Sequence, residues 1–420
     1  MNDTPWTDKE IALLASGLSN AEVAKRTGRS AAAIRGKRQR LAAAASRPDD
    51  KPAEPVVPAT YEDDRERTSG EYWKRQFDVL TRKYEKALKE QTAIEQLVQA
   101  ARELAPKSYS PLPPVQRVSA GKGKPQSAVL MLSDTHVGQV IRPEQTLGFG
   151  GYDFETFLAR LKFYEEAVTS ILRDHTTTDL QELVIAMGGD MLHGALNHAA
   201  EVSQHYTLFQ QWYGAGHAFA QFIRNLAPLV PKLRVHCTVG NHTRWGTQHK
   251  MPTDNRYSNL DSFVYEYTRA LVRDIPGVEW NMDEQPVSLF YVQDHLFHLS
   301  HGDQLKGGDR ALGIPNHAVG RMVSSNAQLF GKLETAAPHY YLVGHLHRGI
   351  VLPHSRGSVI VNGGFPGVDG YGIASGFNPV DPKQTFFLMH PKYGKTATYD
   401  IELRLANNTG VRPYSIPAFL

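Results

Sequence analysis

The chain has 420 residues, 41% of them hydrophobic, which is enough for two or three domains and at least one large core. Its 46 basic and 43 acidic residues leave a net charge of +3, which excludes a chain that binds polyanions through its overall composition. The sequence contains no run of 18 apolar residues and no basic, apolar leader, and its single cysteine, Cys237, cannot form an internal disulfide. We therefore expect no membrane segment and a reducing, cytoplasmic environment.

Residues 1–45 are predicted to form three short helices. Capping-box patterns at Thr7 and Ser19 start the first two helices, and Gly28 ends the second. The apolar side chains expected to face one another are Ile11, Leu14, Val23, Ala24 and Ile34.

The spacing of Ala24, Gly28 and Ile34 resembles that of the helix-turn-helix family, which has a small residue at the helix contact, a glycine turn and an apolar anchor. Eight basic residues and one acidic residue lie between positions 19 and 47, a density that suits phosphate contacts. We expect DNA to be contacted by Arg29, Arg35, Lys37, Arg38 and Arg40. The alternative is a small helical bundle whose charges only keep it soluble.

Residues 46–70 are rich in proline and charge, which predicts a disordered linker. Residues 71–105 carry apolar side chains at spacings of four and three, which predicts a long helix with a coiled-coil seam. The seam consists of Trp73, Phe77, Leu80, Tyr84, Ala87, Gln91, Ile94, Val98 and Ala101. This helix either forms a homo-oligomer or packs on the rest of its own chain. A second linker is predicted over residues 106–126.

Residues 127–420 differ in sequence pattern from the segments before them. Short apolar runs end in Asp or His and alternate with helical stretches, which is typical of a layered α/β (α+β) domain. The β-rich segment 357–405 is expected to complete a second sheet. Polar residues at the carboxyl ends of strands are where ligands collect in such sheets.

Five short motifs follow the predicted strands in a fixed order. They are "SDTHVG" with Asp134 and His136, "GGDMLHG" with Asp190, "GNHTRWG" with Asn241 and His242, "LSHGD" with His301, and "GHLHRG" with His345 and His347. A single His-x-His pair has little weight, because about one is expected by chance among 18 histidines. Together the motifs resemble the calcineurin-like metallophosphoesterase family, whose motifs are D-x-H, GD, GNH, H and GHxH.

The resemblance implies a four-layer β-sandwich flanked by helices, holding two divalent metal ions. The implied ligands are Asp134, His136 and His347 for one ion, Asn241, His301 and His345 for the other, and Asp190 bridging both. Carboxylate, amide and imidazole ligands suit Mn²⁺, our first choice, as well as Fe²⁺ or Zn²⁺. His242 matches the non-ligand histidine of the family, which protonates the leaving oxygen or stabilises the transition state.

Finer details of the motifs are similar to the SbcD-type DNA-repair nucleases. On that likeness His193 contacts a substrate phosphate, or else hydrogen-bonds to a metal ligand. Arg244 either clamps a phosphate as a bidentate donor or forms a salt bridge. Asp303 either orients His301 or caps a turn.

The leading interpretation is a two-metal phosphodiesterase, a DNA exo- or endonuclease that its N-terminal module recruits to DNA. One alternative is a phosphomonoesterase acting on nucleotides or phosphoproteins, because fold does not fix substrate. Another is a DNA-binding regulatory protein with a relic esterase domain. The SbcD likeness also implies an ATPase partner, and the arrangement of modules suits a phage or mobile-element replication protein in the bacterial or phage-infected host cytosol.

Overall fold

The computed structural model describes residues 6–16, 18–45, 121–176, 178–194, 206–244, 259–282, 287–307, 313–374 and, with short gaps, 376–417, together with six positions between 74 and 82. It divides the chain into two compact units, Met1–Thr92 and Ala93–Leu420. The predicted linker 46–70, most of the predicted helix 71–105 and residues 106–120 lie outside the described residues. Within the described residues no helix combines the length and the apolar character needed to cross a membrane.

The first unit contains three helices, α1 (Asp8–Ala15), α2 (Asn20–Thr27) and α3 (Ala31–Ala45). Both predicted capping boxes are present, and Gly28 ends α2 with a left-handed φ of 68°, a conformation that glycine adopts without steric cost.

The core of this unit consists of Leu14, Val23 and Ile34, with Ala24 partly buried against them. Ile11, which was predicted to join the core, is not part of this cluster. The pattern identified the apolar face of each helix, and the contacts between the helices decided which members of that face are buried.

The second unit alternates strands with helices. Its strands are β1 (Gly121–Leu132), β2 (Thr178–Met187), β3 (Leu233–Cys237), β4 (Val278–Asn281), β5 (Ser288–Val292), β6 (His295–Ser300), β7 (Tyr340–Val343), β8 (Arg348–His354), β9 (Gly357–Gly363), β10 (Lys383–His390) and β11 (Gly394–Glu402). Its α-helices are α4 (Phe154–Asp174), α5 (Leu208–Leu226), α6 (Leu260–Leu271), α7 (Asn316–Lys332) and α8 (Gly370–Ala374).

The strands form two sheets. The six-stranded sheet has the order β11-β10-β1-β2-β3-β4, in which β1 to β4 are parallel and β10 is antiparallel to β1. The five-stranded sheet has the order β5-β6-β7-β9-β8, with β6, β7 and β9 parallel.

Alternation along β1 shows how the layers form. Ala128, Leu130 and Leu132 pack in the large cluster that also contains α4, α5 and α6, whereas Val129 and Met131 pack against the other sheet. The outer face of the five-stranded sheet is covered by α7. Because successive side chains of a strand point to opposite faces, an apolar strand such as β1 can be buried on both sides. The predicted four-layer α/β arrangement is confirmed: helices, sheet, sheet, helix.

Two sequence predictions about this unit are wrong. Residues 121–126, predicted as part of a linker, already belong to β1, which pairs with β2 from Thr178 onwards. The predicted segment 357–405 does not all enter the second sheet: β9 does, but β10 pairs with β1, and β11 pairs with β10 in the six-stranded sheet. Strand partners so distant in sequence are decided by packing, which local composition does not reveal.

Candidate metal centre

The seven expected metal ligands all follow the carboxyl ends of strands. Asp134 and His136 follow β1, Asp190 follows β2, Asn241 follows β3, His301 follows β6, and His345 and His347 follow β7. Within each sheet these strands run parallel, so their carboxyl ends share one edge. The two edges meet, because the backbone N–H of His345 donates to Asp134 Oδ1 at 2.9 Å and His301 Nε2 lies 3.0 Å from Asp190 Oδ2.

One group of donors consists of Asp134, His136 and His347, whose candidate ligand atoms all lie within 4.8 Å of one another. His347 Nε2 is 3.2 Å from Asp134 Oδ1 and 3.2 Å from His136 Nε2. Two imidazole nitrogens and a carboxylate oxygen that converge in this way form a suitable donor set for a divalent cation.

The second group consists of Asp190, His301 and His345, again with ligand atoms within 4.8 Å of one another. His301 Nε2 also lies 3.0 Å from Asn241 Oδ1, which adds the amide oxygen to this group. The two histidines of "GHLH" therefore fall in different groups.

The backbone at these positions is strained. Of the seven expected ligands, five have left-handed φ angles: Asp134 (54°), His136 (42°), Asp190 (50°), His345 (62°) and His347 (52°). A non-glycine residue in this region costs about 1–3 kcal/mol, and such residues cluster at functional sites. Sharp turns directly after the strands aim these side chains at common points.

Two glycines make room for the convergence. A Cβ at Gly240 would lie 2.0 Å from Asp190 Oδ1, and a Cβ at Gly344 would lie 2.6 Å from Asp134 Oδ2. Each glycine of "GNH" and "GHLH" thus allows the backbone to approach a carboxylate from a neighbouring strand end.

Asp190 and His301 form the most strongly perturbed pair. Burial acts to raise the pKa of Asp190, but the charges of His301 and His242 and the hydrogen bond from His301 lower it well below its usual value. Burial acts to lower the pKa of His301, whereas the charge and hydrogen bond of Asp190 raise it to about 10. Without a metal ion this pair favours a proton shared between the two side chains, and a bound cation would take the place of that proton.

Two other imidazoles are held neutral. Burial, followed by the charge of His301, lowers the pKa of His345 to about 4. Burial and the charge of His242 lower the pKa of His136 well below its ordinary value, and its buried Nδ1 has no hydrogen-bond partner among the described residues. Neutral imidazoles are the form that binds metal, so these donor groups fit divalent metal ions.

A third imidazole group lies beside the first. The ligand atoms of His136, His193 and His242 fall within 4.8 Å of one another, and the ring of His242 is centred 4.5 Å from that of His136. His242 is fixed at two points: its backbone N–H donates to Asp190 Oδ1 at 2.8 Å, and its Nδ1 lies 3.0 Å from the carbonyl oxygen of His193. When Nδ1 donates to that carbonyl, Nε2 is the ring nitrogen left for chemistry.

Arg244 and Asp303 form an ion pair in which each side chain is largely buried. His301 Nδ1 lies 2.8 Å from the carbonyl oxygen of Gly188, so this carbonyl orients His301, and Asp303 pairs with Arg244 instead.

The predicted DNA-contacting residues of the first unit have different surroundings. Arg29 pairs with Glu10 at 2.7 Å and lies over the Trp6 ring, while Arg38 donates to Leu14 O, Asn20 Oδ1 and Leu18 O. Arg35 is exposed and Lys37 is half-buried, and the side chain of Arg40 lies outside the described residues. Internal contacts therefore hold Arg29 and Arg38, two of the five predicted residues.

Asp261 was not identified from the sequence, although it organises the site. This buried carboxylate accepts hydrogen bonds from three backbone N–H groups: Asp190 at 2.9 Å, Met191 at 3.1 Å and Gly240 at 2.9 Å. Burial and the neighbouring charge of Asp190 raise its pKa to about 6. The only local signal was "NLDSF", in which Asn259 caps α6 and Asp261 lies in the first turn.

A second set of missed residues supports Asp134. Ser133 Oγ donates to Asp134 Oδ2 at 2.5 Å, Asn362 Nδ2 donates to Ser133 Oγ at 2.9 Å, and Gln384 Oε1 accepts from Ser133 N at 3.1 Å. Asn362 and Gln384 are buried polar residues within the apolar strands β9 and β10. A buried polar side chain needs a hydrogen-bond partner. A single polar residue within an apolar strand was therefore the signal available in the sequence.

Known proteins match this chain only as distant structural likenesses. No protein-family model and no curated protein matches the sequence. Similar solved structures include a novel archaeal phosphodiesterase (10% identity, 65% of this chain and 99% of that chain, TM-score 0.30) and a predicted phosphoesterase from Streptococcus pneumoniae TIGR4 (10%, 66% and 91%, TM-score 0.28). Another is Vps29 complexed with Zn²⁺ from Entamoeba histolytica (13%, 66% and 99%, TM-score 0.25). At these TM-scores, no activity follows from the likeness.

Proposed function

We propose that this protein is a two-metal phosphodiesterase that hydrolyses nucleic acid. The observation that carries the proposal is the convergence of two acid and imidazole groups, Asp134/His136/His347 and Asp190/His301/His345, with a third group of imidazoles beside them. Asn241 completes the second group. The ions, when bound, would polarise the phosphate oxygens and activate a water molecule for attack.

The protein's own residues would bind and orient the substrate. His193 and His242 lie beside His136 on the side of the first donor group, where the phosphate of a substrate would contact them. Arg244, held by its ion pair with Asp303, would be a further hydrogen-bond donor to the phosphate. These contacts would stabilise negative charge on the transferred phosphoryl group.

His242 would supply the proton for the leaving oxygen. Its Nδ1 lies 3.0 Å from the carbonyl oxygen of His193, which leaves Nε2 as the nitrogen that holds and transfers a proton. His242 is not one of the expected ligands, and its hydrogen bond to Asp190 comes from the backbone N–H. An alanine at this position would therefore keep that bond and all the expected ligands while removing the proton donor.

The nucleic-acid substrate is supported by the first unit. Its exposed basic residues, including Arg35, would bind DNA phosphates and raise the local concentration of substrate. A homo-oligomer through residues 71–105, an ATPase partner and Mn²⁺ as the ion complete the proposal. The phosphomonoesterase alternative uses the same centre but gives no role to the basic helices.

The proposal is tested by replacing His242. We expect His242→Ala to keep the thermal stabilisation by Mn²⁺ while losing about a hundredfold or more in turnover of bis-p-nitrophenyl phosphate. His317→Ala is the matched control, since His317 is exposed at the start of α7. Near wild-type turnover of His242→Ala would refute its assignment.

The substrate class is tested separately with the wild-type chain. We expect Mn²⁺-dependent hydrolysis of bis-p-nitrophenyl phosphate and of linear single-stranded or duplex DNA, and weaker hydrolysis of p-nitrophenyl phosphate. Activity confined to the monoester would favour the phosphatase alternative. If Mn²⁺ gave neither thermal stabilisation nor hydrolysis, a relic esterase domain would be the better interpretation.

A further inference from the structure

A buried glutamine beside the candidate metal centre has no role in the proposed chemistry. Gln211 lies in the first turn of α5, and its side chain is fully buried. Its Oε1 accepts a hydrogen bond from the backbone N–H of Gly194 at 3.1 Å, and its Nε2 donates to the carbonyl oxygen of Tyr206 at 2.9 Å. Because a carboxamide has distinct donor and acceptor ends, these two contacts fix the side chain in one orientation.

Two segments of the site meet at this carboxamide. In the segment that follows β1, a Cβ at Gly138 would lie 2.4 Å from Cδ of Gln211, so the glycine lets the backbone pack directly on the side chain. The second segment consists of His193 and Gly194. It is joined to the first by the backbone N–H of His193, which donates to the carbonyl oxygen of Val137 at 3.0 Å. Gln211 therefore packs on one segment and hydrogen-bonds to the other.

The segment 193–194 contacts His242 at two points. The carbonyl oxygen of His193 lies 3.0 Å from Nδ1 of the His242 ring. A Cβ at Gly194 would lie 2.2 Å from the carbonyl oxygen of His242, so this glycine packs against the backbone of the same residue. The ring and the backbone of His242 thus both depend on the position of residues 193–194.

The helix that carries Gln211 is a rigid support. Ala215, Phe219 and Phe222 of α5 are buried in the large core cluster of the second unit. A side chain on such an element transmits the position of the core to the loop that it binds. A proton donor contributes to the reaction only within hydrogen-bond reach of the leaving oxygen, so a small displacement of the His242 ring would matter.

We propose that Gln211 is a positioning residue for proton transfer to the leaving oxygen, acting through residues 193–194 on the ring of His242. The inference rests on the proposed function, in which His242 supplies that proton. Both hydrogen bonds of Gln211 described above go to backbone groups outside the seven expected ligands. Its replacement should therefore weaken proton donation and leave metal binding in place.

The test compares two diesters that differ in their need for a proton donor, using the full chain with Mn²⁺. Bis-p-nitrophenyl phosphate releases a phenolate that its nitro group stabilises, whereas diphenyl phosphate releases a poorer leaving group. For Gln211→Leu we expect kcat to fall about tenfold on the first substrate and about a hundredfold on the second. A loss of packing alone would lower both rates by the same factor.

Two further variants and a control complete the design. Gln211→Asn keeps an amide but is one methylene too short to reach both partners, so it should show the same selective loss even if the leucine chain does not fold. In a His242→Ala background, Gln211→Leu should cause less than about a twofold further loss on diphenyl phosphate, since both residues act on one proton transfer. Gln221→Leu is the control, because Gln221 lies in the same helix and donates to His217 O and Ser415 O instead.

Thermal stabilisation by Mn²⁺, measured on each variant, shows whether the metal centre is intact. If the Gln211 variants lose activity equally on both diesters, add a further loss to His242→Ala, or lose the stabilisation by Mn²⁺, the positioning proposal fails while the phosphodiesterase proposal stands. If wild type hydrolyses neither diester with Mn²⁺, both proposals fail together.

Discussion

The polar side chains of the two units differ in the groups that they face. In the first unit, Arg29, in the turn between α2 and α3, and Arg38, in α3, meet complementary groups: a carboxylate and carbonyl oxygens. In the candidate metal centre, His136 Nε2 faces His347 Nε2 at 3.2 Å, and both residues have left-handed backbone angles. Complementary polar pairs stabilise a fold by themselves. Side chains of the same type that converge on a strained backbone indicate instead a site for a bound ligand. Charge alone in the sequence does not distinguish these situations.

The largest effect is expected from Asp190→Asn, which removes the carboxylate that pairs with His301. The amide keeps the shape but loses the negative charge that attracts divalent ions, so turnover should fall at least about a thousandfold. Thermal stabilisation by Mn²⁺ should disappear in the same variant. Asp400→Asn on the exposed face of β11 is the matched control. An unchanged Mn²⁺ shift in Asp190→Asn would mean that Asp190 is not a ligand.

A smaller effect is expected from Asp261→Asn, which tests whether a residue without contact to the ions positions their ligands. An amide cannot accept from all three N–H groups of residues 190, 191 and 240, because one of its two polar atoms is itself a donor. Residues that hold metal ligands in place typically change metal affinity by about 10–100-fold when replaced. We expect a weakening of that order in Mn²⁺ titrations followed by calorimetry.

Glu266→Gln, an exposed change on the same helix, separates positioning from general helix effects. If Asp261→Asn lowers the melting temperature but leaves Mn²⁺ affinity as in wild type, Asp261 is a structural residue only.

The convergence of the candidate ligands could be predicted because each of these residues follows a strand end within a short motif. The sequence order Asp134, Asp190, Asn241, His301, His345 follows the strands, and parallel strands bring their carboxyl ends to one edge. Asp261 could not be predicted in this way. Its three hydrogen bonds join it to Asp190, Met191 and Gly240, which are separated from it by 71, 70 and 21 positions in the sequence. No local sequence pattern encodes such contacts.

In the fold, too, local features could be predicted from the sequence and long-range contacts could not. Apolar runs predicted β1 and β2 and their burial between layers, whereas the pairing of β10 with β1 joins residues such as Ser127 and Met389. Likewise, a count of basic residues suggested Arg29 and Arg38 as DNA contacts, although each has partners inside its own unit. Composition gives the types of residue present, and tertiary contacts decide which remain available.

A third prediction separates stability from DNA binding within the first unit. Arg38→Ala removes hydrogen bonds to Leu14 O, Asn20 Oδ1 and Leu18 O and should destabilise the helices by about 2–3 kcal/mol. Arg35→Ala, on the exposed surface of α3, should change stability by less than about 0.5 kcal/mol.

DNA binding of the full chain, measured against salt concentration, completes this comparison. Arg35→Ala should weaken binding and reduce the salt slope by about one if Arg35 contacts a phosphate. If Arg35→Ala and Arg38→Ala both leave binding and its salt dependence unchanged, the first unit is a solvated helical bundle without a DNA role.

The smallest effect concerns the acid stability of the ion pair between Glu10 and Arg29. The hydrogen bond from Arg29, followed by that from Thr7, lowers the pKa of Glu10 from 4.5 to about 2. Because the folded-state pKa is depressed, the contribution is fully present above pH 4.5 and is lost as the pH falls through about 2. Arg29 lies 4.3 Å from the centre of the Trp6 ring, so Trp6 fluorescence, isolated by subtracting the Trp6→Phe variant, should change in this window. Glu10→Gln should abolish that change, while Glu22→Gln in the other capping box should keep it; the same acid transition in all three chains would show that the Trp6 signal reports another group.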